Sequence, residues 1–260
     1  MGDGKVSLLE VVELTKNFGG LRAVDQLTFH INEGEILGLI GPNGAGKTTV
    51  FNLISGVYSP SSGTIKFKGQ VISGSKPHNI AQMGLVRTFQ QTSLFRGMTV
   101  LENMAVGGHS KSGVNILGTI LNSKSLKAKV EQFRAQNLKI LVMLGLDKFK
   151  DEMPPNLPYG YQRTLGVALA LASNPKMLLL DEPVTGMNPE ETAHMMRIVK
   201  GIRDEGVTVL LVEHDMKMVM GICERIVAIS FGKKLTEGSP EEVRNDDRVI
   251  KAYLGGGSFD

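Results

Sequence analysis

The 260-residue chain contains one cysteine, Cys223. A lone thiol excludes an internal disulfide and a cysteine-based zinc cluster, and its apolar neighbours predict a buried, inert side chain. No run of about 18 apolar residues is present, so no segment is expected to cross a bilayer unaided. The charged-then-apolar opening of a secretory signal is missing too. The start MGDGKV has Val6 where an N-myristoylation signal wants Ser or Thr. The expectation is a protein kept in the cytosol that reaches a membrane only through partners. Charge is close to balanced, 29 Lys and Arg against 26 Asp and Glu, with no basic block. That gives no support for a nucleic-acid groove, and no nucleic-acid partner is expected. Internal repeats are also lacking, which predicts a single functional unit.

What is present is an ordinary globular balance, 42% hydrophobic and 21% charged. The length suits one large α/β unit or two lobes. Thirty-one glycines predict many tight turns or close backbone contacts with a ligand. Residues 5–14 alternate loosely and 22–31 more cleanly (Leu27, Phe29, Ile31), so both read as strands. "EILGLI" at 35–40 is a short apolar strand leading to a glycine-rich loop and a helix over 48–56; "GTIKFKGQVI" at 63–72 reads as a strand pair. Helical periodicity takes over from Met98 to Pro155, with polar breaks at "HSKSGVN" and "NSKS", as in an inserted helical lobe. "LGVALALA" reads as a buried helix, and "KMLLLDEP" and "VTVLLVEH" as strands apolar on both faces. Between them, "PEETAHMMRIVKGIRDEG" predicts an amphipathic helix opened by Pro189 and closed by Gly206. A βαβ-like tail follows, then a disordered end at 255–260. Such alternation predicts a parallel α/β sheet covered on both faces.

"GPNGAGKTT", Gly41 to Thr49, fits G-x-x-x-x-G-K-[ST] between a buried strand and a helix, the context that makes the pattern a phosphate site. Its glycines (Gly41, Gly44, Gly46), with Asn43, Ala45 and Thr49, let the backbone wrap phosphates, and the helix N-terminus attracts their charge. Lys47 is placed to meet the β- and γ-phosphates and Thr48 to meet Mg²⁺. Asp181, at the end of "MLLLDEP", suits Mg²⁺ through its water shell, and Glu182 suits a general base acting on water. His214, just past "LLVEH", lies where open α/β sheets place ligands. It could reach the γ-phosphate or orient the water, or be a structural histidine. Gln90 in "VRTFQQ" could reach Mg²⁺ or water by its amide, or be a surface residue.

Together these pieces resemble the nucleotide-binding subunit of ABC transporters, from about residue 7 to 254. The resemblance implies a P-loop NTPase of the ABC ATPase type: a mixed-sheet core, an antiparallel β subdomain and an inserted helical subdomain at about 98–158, all in one domain over 1–254. It implies ATP and Mg²⁺ as ligands and Phe18 as the aromatic stacked on adenine, although Phe18 also reads as a core residue. "LPYGYQR" (157–163) stands where the family has its LSGGQ signature, a helix start that caps the γ-phosphate held by a second ATPase subunit. Tyr159 and Gly160 would make that contact, Gly160 allowing close backbone approach. Pro158 replaces the family's serine and removes both a hydroxyl and an N–H. The loss of one hydrogen bond, about 0.5–1.5 kcal/mol, predicts weaker pairing rather than none.

"RTFQQTSLFRGMTVLENM", "DEPVTGMNPEET" and the tail "GKKLTEGSPEEVRNDDRVIKAYLG" resemble the branched-chain amino acid uptake subfamily. That implies an ATP-hydrolysing motor on the cytoplasmic face of the cell membrane, working with transmembrane permease subunits. A second ATPase, identical or paralogous, and indirectly a periplasmic or extracellular substrate-binding protein, complete the set. Phe95, Met98 and Met104, beside Gln90, would line a groove for a permease helix, or would be lobe core. ATPases for other cargo such as lipopolysaccharide export, a soluble ABC protein acting on ribosomes or DNA repair, and a small-molecule P-loop kinase remain alternatives.

Overall fold

The structure, a computed structural model, describes residues 7–88, 94–107 and 124–254. Gln90, the break at 109–115 and the tail at 255–260 lie outside the described residues. Among those described, the strands form two sheets. The first, in the order β2-β1-β4-β5, is antiparallel throughout. It contains β1 (Ser7–Phe18), β2 (Leu21–Asn32), β4 (Ser62–Phe67) and β5 (Gln70–Val71). The second has the order β10-β9-β3-β8-β7-β6. Its members are β3 (Ile36–Ile40), β6 (Leu85–Arg87), β7 (Met177–Asp181), β8 (Thr208–Val212), β9 (Arg225–Ser230) and β10 (Lys233–Gly238). All its pairings are parallel except that of β10 with β9.

The all-apolar strands follow from a sheet that serves two cores. Successive side chains point to opposite faces. On β7, Leu178 and Leu180 join one core while Met177 and Leu179 join the other. On β8, Val209 and Leu211 part from Leu210 and Val212 in the same way. The first core lies beneath α3 (Val100–Gly107), α4 (Lys124–Met143), α5 (Tyr159–Ala172), α6 (Pro189–Asp204), α7 (Met216–Ile222), α8 (Pro240–Arg244) and α9 (Asp247–Leu254). The second lies between the two sheets with α1 (Lys47–Ile54) and α2 (Pro77–Met83).

The loose alternation at the start of the chain has a local cause. Glu13 has φ 47 and sits where the β1–β2 register shifts between Val11 and Leu14, a β-bulge. The bulge lets Leu9, Val11 and Leu14 all face inward. α6 begins as expected: Pro189 opens it and the Asn188 side chain accepts from the Glu190 and Glu191 amides. Its end is closed at Gly206, φ 85, whose N–H donates to the Arg203 carbonyl.

One expectation is refined and one corrected. β8, α7 and β9 form a βαβ unit, both strands pairing parallel with β3, but a two-residue turn at Phe231 and Gly232 then adds a β9–β10 hairpin before α8 and α9. Met104 is fully buried in the first core and cannot line a groove, whereas Phe95 and Met98 are exposed. Met104 turns inward with Val100 on the same face of α3, as the spacing of four requires.

Candidate active site

β3 runs into the glycine loop and the loop into α1, so the phosphate-type loop crowns the centre of the parallel sheet. Gly44 and Gly46 have φ 80 and 105, conformations that side chains resist. At Gly41 the reason is space: a Cβ would lie 2.3 Å from the Ile229 carbonyl oxygen. α1 has no side-chain cap and no acidic residue in its first turn, so side chains leave its leading amides open to an anion. Lys47 folds back along the loop, its Nζ donating to the carbonyls of Gly41 (2.5 Å) and Pro42 (3.1 Å). Burial lowers its pKa from the ordinary 10.5, and the charges of Glu182 and Asp181 act in the opposite direction.

The loop opens on a cavity of about 400 Å³ whose walls include Phe18, Asn43, Lys47, Thr48, Thr49 and Glu182. The volume lies in the range of small-molecule sites. Phe18 is the last residue of β1, half-exposed and edge-on to Tyr58 with 5.3 Å between ring centroids. It is therefore not a core residue. Asp181 ends β7 and is buried. Glu182 follows in a left-handed conformation, φ 47, uncommon for a side-chain-bearing residue and recurrent at working sites. Its amide donates to the Val212 carbonyl (2.9 Å), which ties the turn to β8. Across the turn, His214 Nδ1 stands 3.8 Å from Glu182 Oε1. The two side chains are near neighbours with no direct hydrogen bond.

Two residues with clear work here carried no sequence signal. Arg87, at the end of β6, donates to Asp181 Oδ2 at 2.7 Å and to Asn52 Oδ1 at 2.6 Å, and covers the Phe51 ring. It neutralises the buried carboxylate. Glu213 is fully buried and accepts from the amides of Val184 (2.9 Å), His214 (3.0 Å) and Asp215 (3.4 Å). It thereby joins the loop after Glu182 to the loop carrying His214. Burial raises its pKa above 4.5, and those amides oppose the rise. Both residues were visible as charges beside apolar runs, but their partners lie on other strands and leave no spacing to read.

Tyr159 and Gly160 do not line the loop's cavity. They start α5, with Pro158 as the capping residue, and fasten to the segment after Glu182. Tyr159 Oη donates to the Thr185 carbonyl (3.1 Å) and accepts from Arg163 Nε (2.9 Å). The Gly160 N–H donates to Glu191 Oε1 (3.2 Å), and a Cβ at Gly160 would lie 2.8 Å from that oxygen.

A glycine loop between a central parallel strand and a helix, with a buried Asp and a following Glu beside it, defines a P-loop nucleotide-binding protein. Comparison with known proteins refines this. Residues 24–185 match the family described as ABC transporter, and residues 233–258 match that described as branched-chain amino acid ATP-binding cassette transporter. The chain belongs to the ABC transporter family and is an ABC-type ATPase. It is 42% identical over 249 residues to the high-affinity branched-chain amino acid transport ATP-binding protein BraF of Pseudomonas aeruginosa, covering 95% of this chain and 98% of that one. The Escherichia coli protein LivG, of the same description, gives the same figures. The lipopolysaccharide export system ATP-binding protein LptB of Haemophilus influenzae is 33% identical, covering 96% and 98%. Among solved structures, the ADP conformation of an ATP-binding cassette of an ABC transporter superposes with TM-score 0.85 at 30% identity, covering 96% and 99%. A dimeric cassette in a post-hydrolysis state with ADP and Pi gives 0.74 at 25%, covering 89% and 98%.

Proposed function

We propose that this chain is the ATP-hydrolysing motor subunit of an importer for branched-chain or related amino acids, bound at the cytoplasmic face of the membrane to permease subunits. The observation that carries the reading is the cavity shared by the glycine loop and Glu182, with the buried Asp181 immediately before Glu182 at the end of β7. In this reading the adenine lies against Phe18, and the amides of Asn43 to Thr49 with Lys47 hold the phosphates. The Glu182 carboxylate takes a proton from the attacking water, and His214, 3.8 Å from it, orients that water or the γ-phosphate. Lys47 is already desolvated and points along the loop, so it needs little reorganisation to meet negative charge.

The donors present fit Mg²⁺, which prefers hard oxygen ligands and keeps much of its water. Thr48 offers a hydroxyl at the cavity and Asp181 a carboxylate, and the amide of Gln90, which lies outside the described residues, is the further ligand that the family resemblance implies. When bound, the ion neutralises charge on the β- and γ-phosphates. Amino-acid cargo is supported over lipopolysaccharide by the closer identity to BraF and LivG and by the match of residues 233–258. In this reading the helical subdomain at about 98–158 faces the permease, with the exposed Phe95 and Met98 as apolar contacts near its start. The start of α5, with Tyr159 and Gly160, caps the nucleotide of a second ATPase subunit.

The test is ATP turnover and sedimentation of the parent and of Glu182→Gln. Loss of hydrolysis with an ATP-dependent dimer supports the reading. A variant that hydrolyses at the parent rate sinks Glu182 as the base. Reconstitution with candidate permeases, reading uptake of labelled leucine against that of other cargo, tests the transport assignment.

A further inference from the structure

Phe231 is 88% exposed, the most exposed large apolar side chain among the described residues. It occupies the first position of the two-residue turn between β9 and β10, where Ser230 pairs with Lys233. Phe231 and Gly232 have φ 47 and 76, the signs of a type I′ hairpin turn. That turn favours Asn or Asp before Gly, and a bulky aromatic is an outlier there. Gly232 is demanded by its surroundings, since a Cβ would stand 2.7 Å from the Ala23 carbonyl oxygen. Nothing in the hairpin demands Phe231.

The turn is also fastened to the phosphate loop. The Gly232 N–H donates to the Ala45 carbonyl (2.9 Å), and the Asp25 N–H donates to the Gly232 carbonyl (2.9 Å). Phe231 is thus held in fixed relation to the loop, on the wall of the cavity that also contains Phe18 and the exposed Leu21. An apolar side chain placed in water, in an unfavoured backbone conformation, at the rim of a ligand cavity is explained by an apolar ligand surface that covers it.

We propose that Phe231 is a second contact for the purine base of the bound nucleotide, working with Phe18 to select a nucleoside triphosphate over a bare polyphosphate. The proposal rests on the nucleotide-site reading above. A rigid aromatic presents a face to a base at little entropic cost, and base–aromatic stacking tolerates any base while rejecting a ligand that has none.

The test compares the parent, Phe231→Ala, Phe231→Asn and Lys47→Ala, each titrated with ATP and with inorganic tripolyphosphate by calorimetry. The expected result is an ATP Kd raised about five-fold or more in both Phe231 variants, the factor matching the lower end of base–aromatic stacking, with tripolyphosphate binding unchanged. Phe231→Asn should also melt higher than the parent, because Asn-Gly suits the turn. Equal weakening of both ligands, or no change in either, overturns the proposal, as does a lower melting midpoint for Phe231→Asn, which would make Phe231 a hairpin residue. Unchanged ATP binding with weaker ATP-dependent dimerisation likewise overturns it and moves Phe231 to the subunit interface. Lys47→Ala should lose both ligands. If it binds ATP as the parent does, the nucleotide-site reading itself fails, and this proposal with it.

Discussion

The guanidinium of Arg87 donates to the buried carboxylate of Asp181 at 2.7 Å, so the acid at the end of β7 carries its own counter-charge. Removing one member of a buried pair leaves an uncompensated charge, which costs about 3 kcal/mol or more. Arg87→Ala should therefore unfold at clearly lower urea concentration than the parent. Adding Asp181→Asn to it should recover a large part of the loss. A double mutant no more stable than Arg87→Ala would place the effect in Arg87's contacts with Asn52 and Phe51 instead.

Glu213 predicts a pH dependence. Its folded-state pKa lies above the ordinary 4.5 because of burial, so the folded chain holds this proton where the unfolded chain has released it. Stability from this group is complete below 4.5 and declines as pH rises through the raised folded value. The difference in melting midpoint between the parent and Glu213→Gln, followed upward from pH 4, should shift against the parent across that window. A flat difference would show that the three amide donors cancel the burial.

Tyr159 binds the segment after Glu182 through one hydroxyl. Tyr159→Phe removes two exposed hydrogen bonds, to the Thr185 carbonyl and from Arg163 Nε, each of which water can replace, and should move the melting midpoint little. In a Glu182→Gln background it should weaken ATP-dependent dimerisation by a few-fold, read by sedimentation. Unaltered dimerisation would mean that the Thr185 contact plays no part in pairing.

Cys223 is buried against Gly38, with burial pushing its thiol pKa far upward. A thiolate-specific reagent should label the native protein at no measurable rate and label it fully in denaturant. Fast labelling of the native chain would reveal opening of the sheet edge of α7.

The glycine loop could be read from sequence because its chemistry is local: glycines, a lysine and a threonine must be contiguous where a strand meets a helix. The three central strands were legible for a related reason, since burial on two faces leaves only apolar residues. Arg87 and Glu213 escaped because each acts on a neighbour brought close by β-pairing. The bulge at Glu13 blurred the strand period, and Met104 could not be told from Phe95 or Met98 without knowing which side of α3 faces the core. Phe231 reads as an ordinary apolar residue until its turn is seen to place it in water.

β3 is buried on both faces and hydrogen-bonded on both edges, to β8 and β9, over nearly its whole length. Such a strand belongs to the part of a molecule that opens last. The phosphate loop is therefore mounted on an anvil. Whatever displacement accompanies turnover falls to parts with weaker anchorage than β3. Amide exchange should therefore leave β3 silent throughout the cycle.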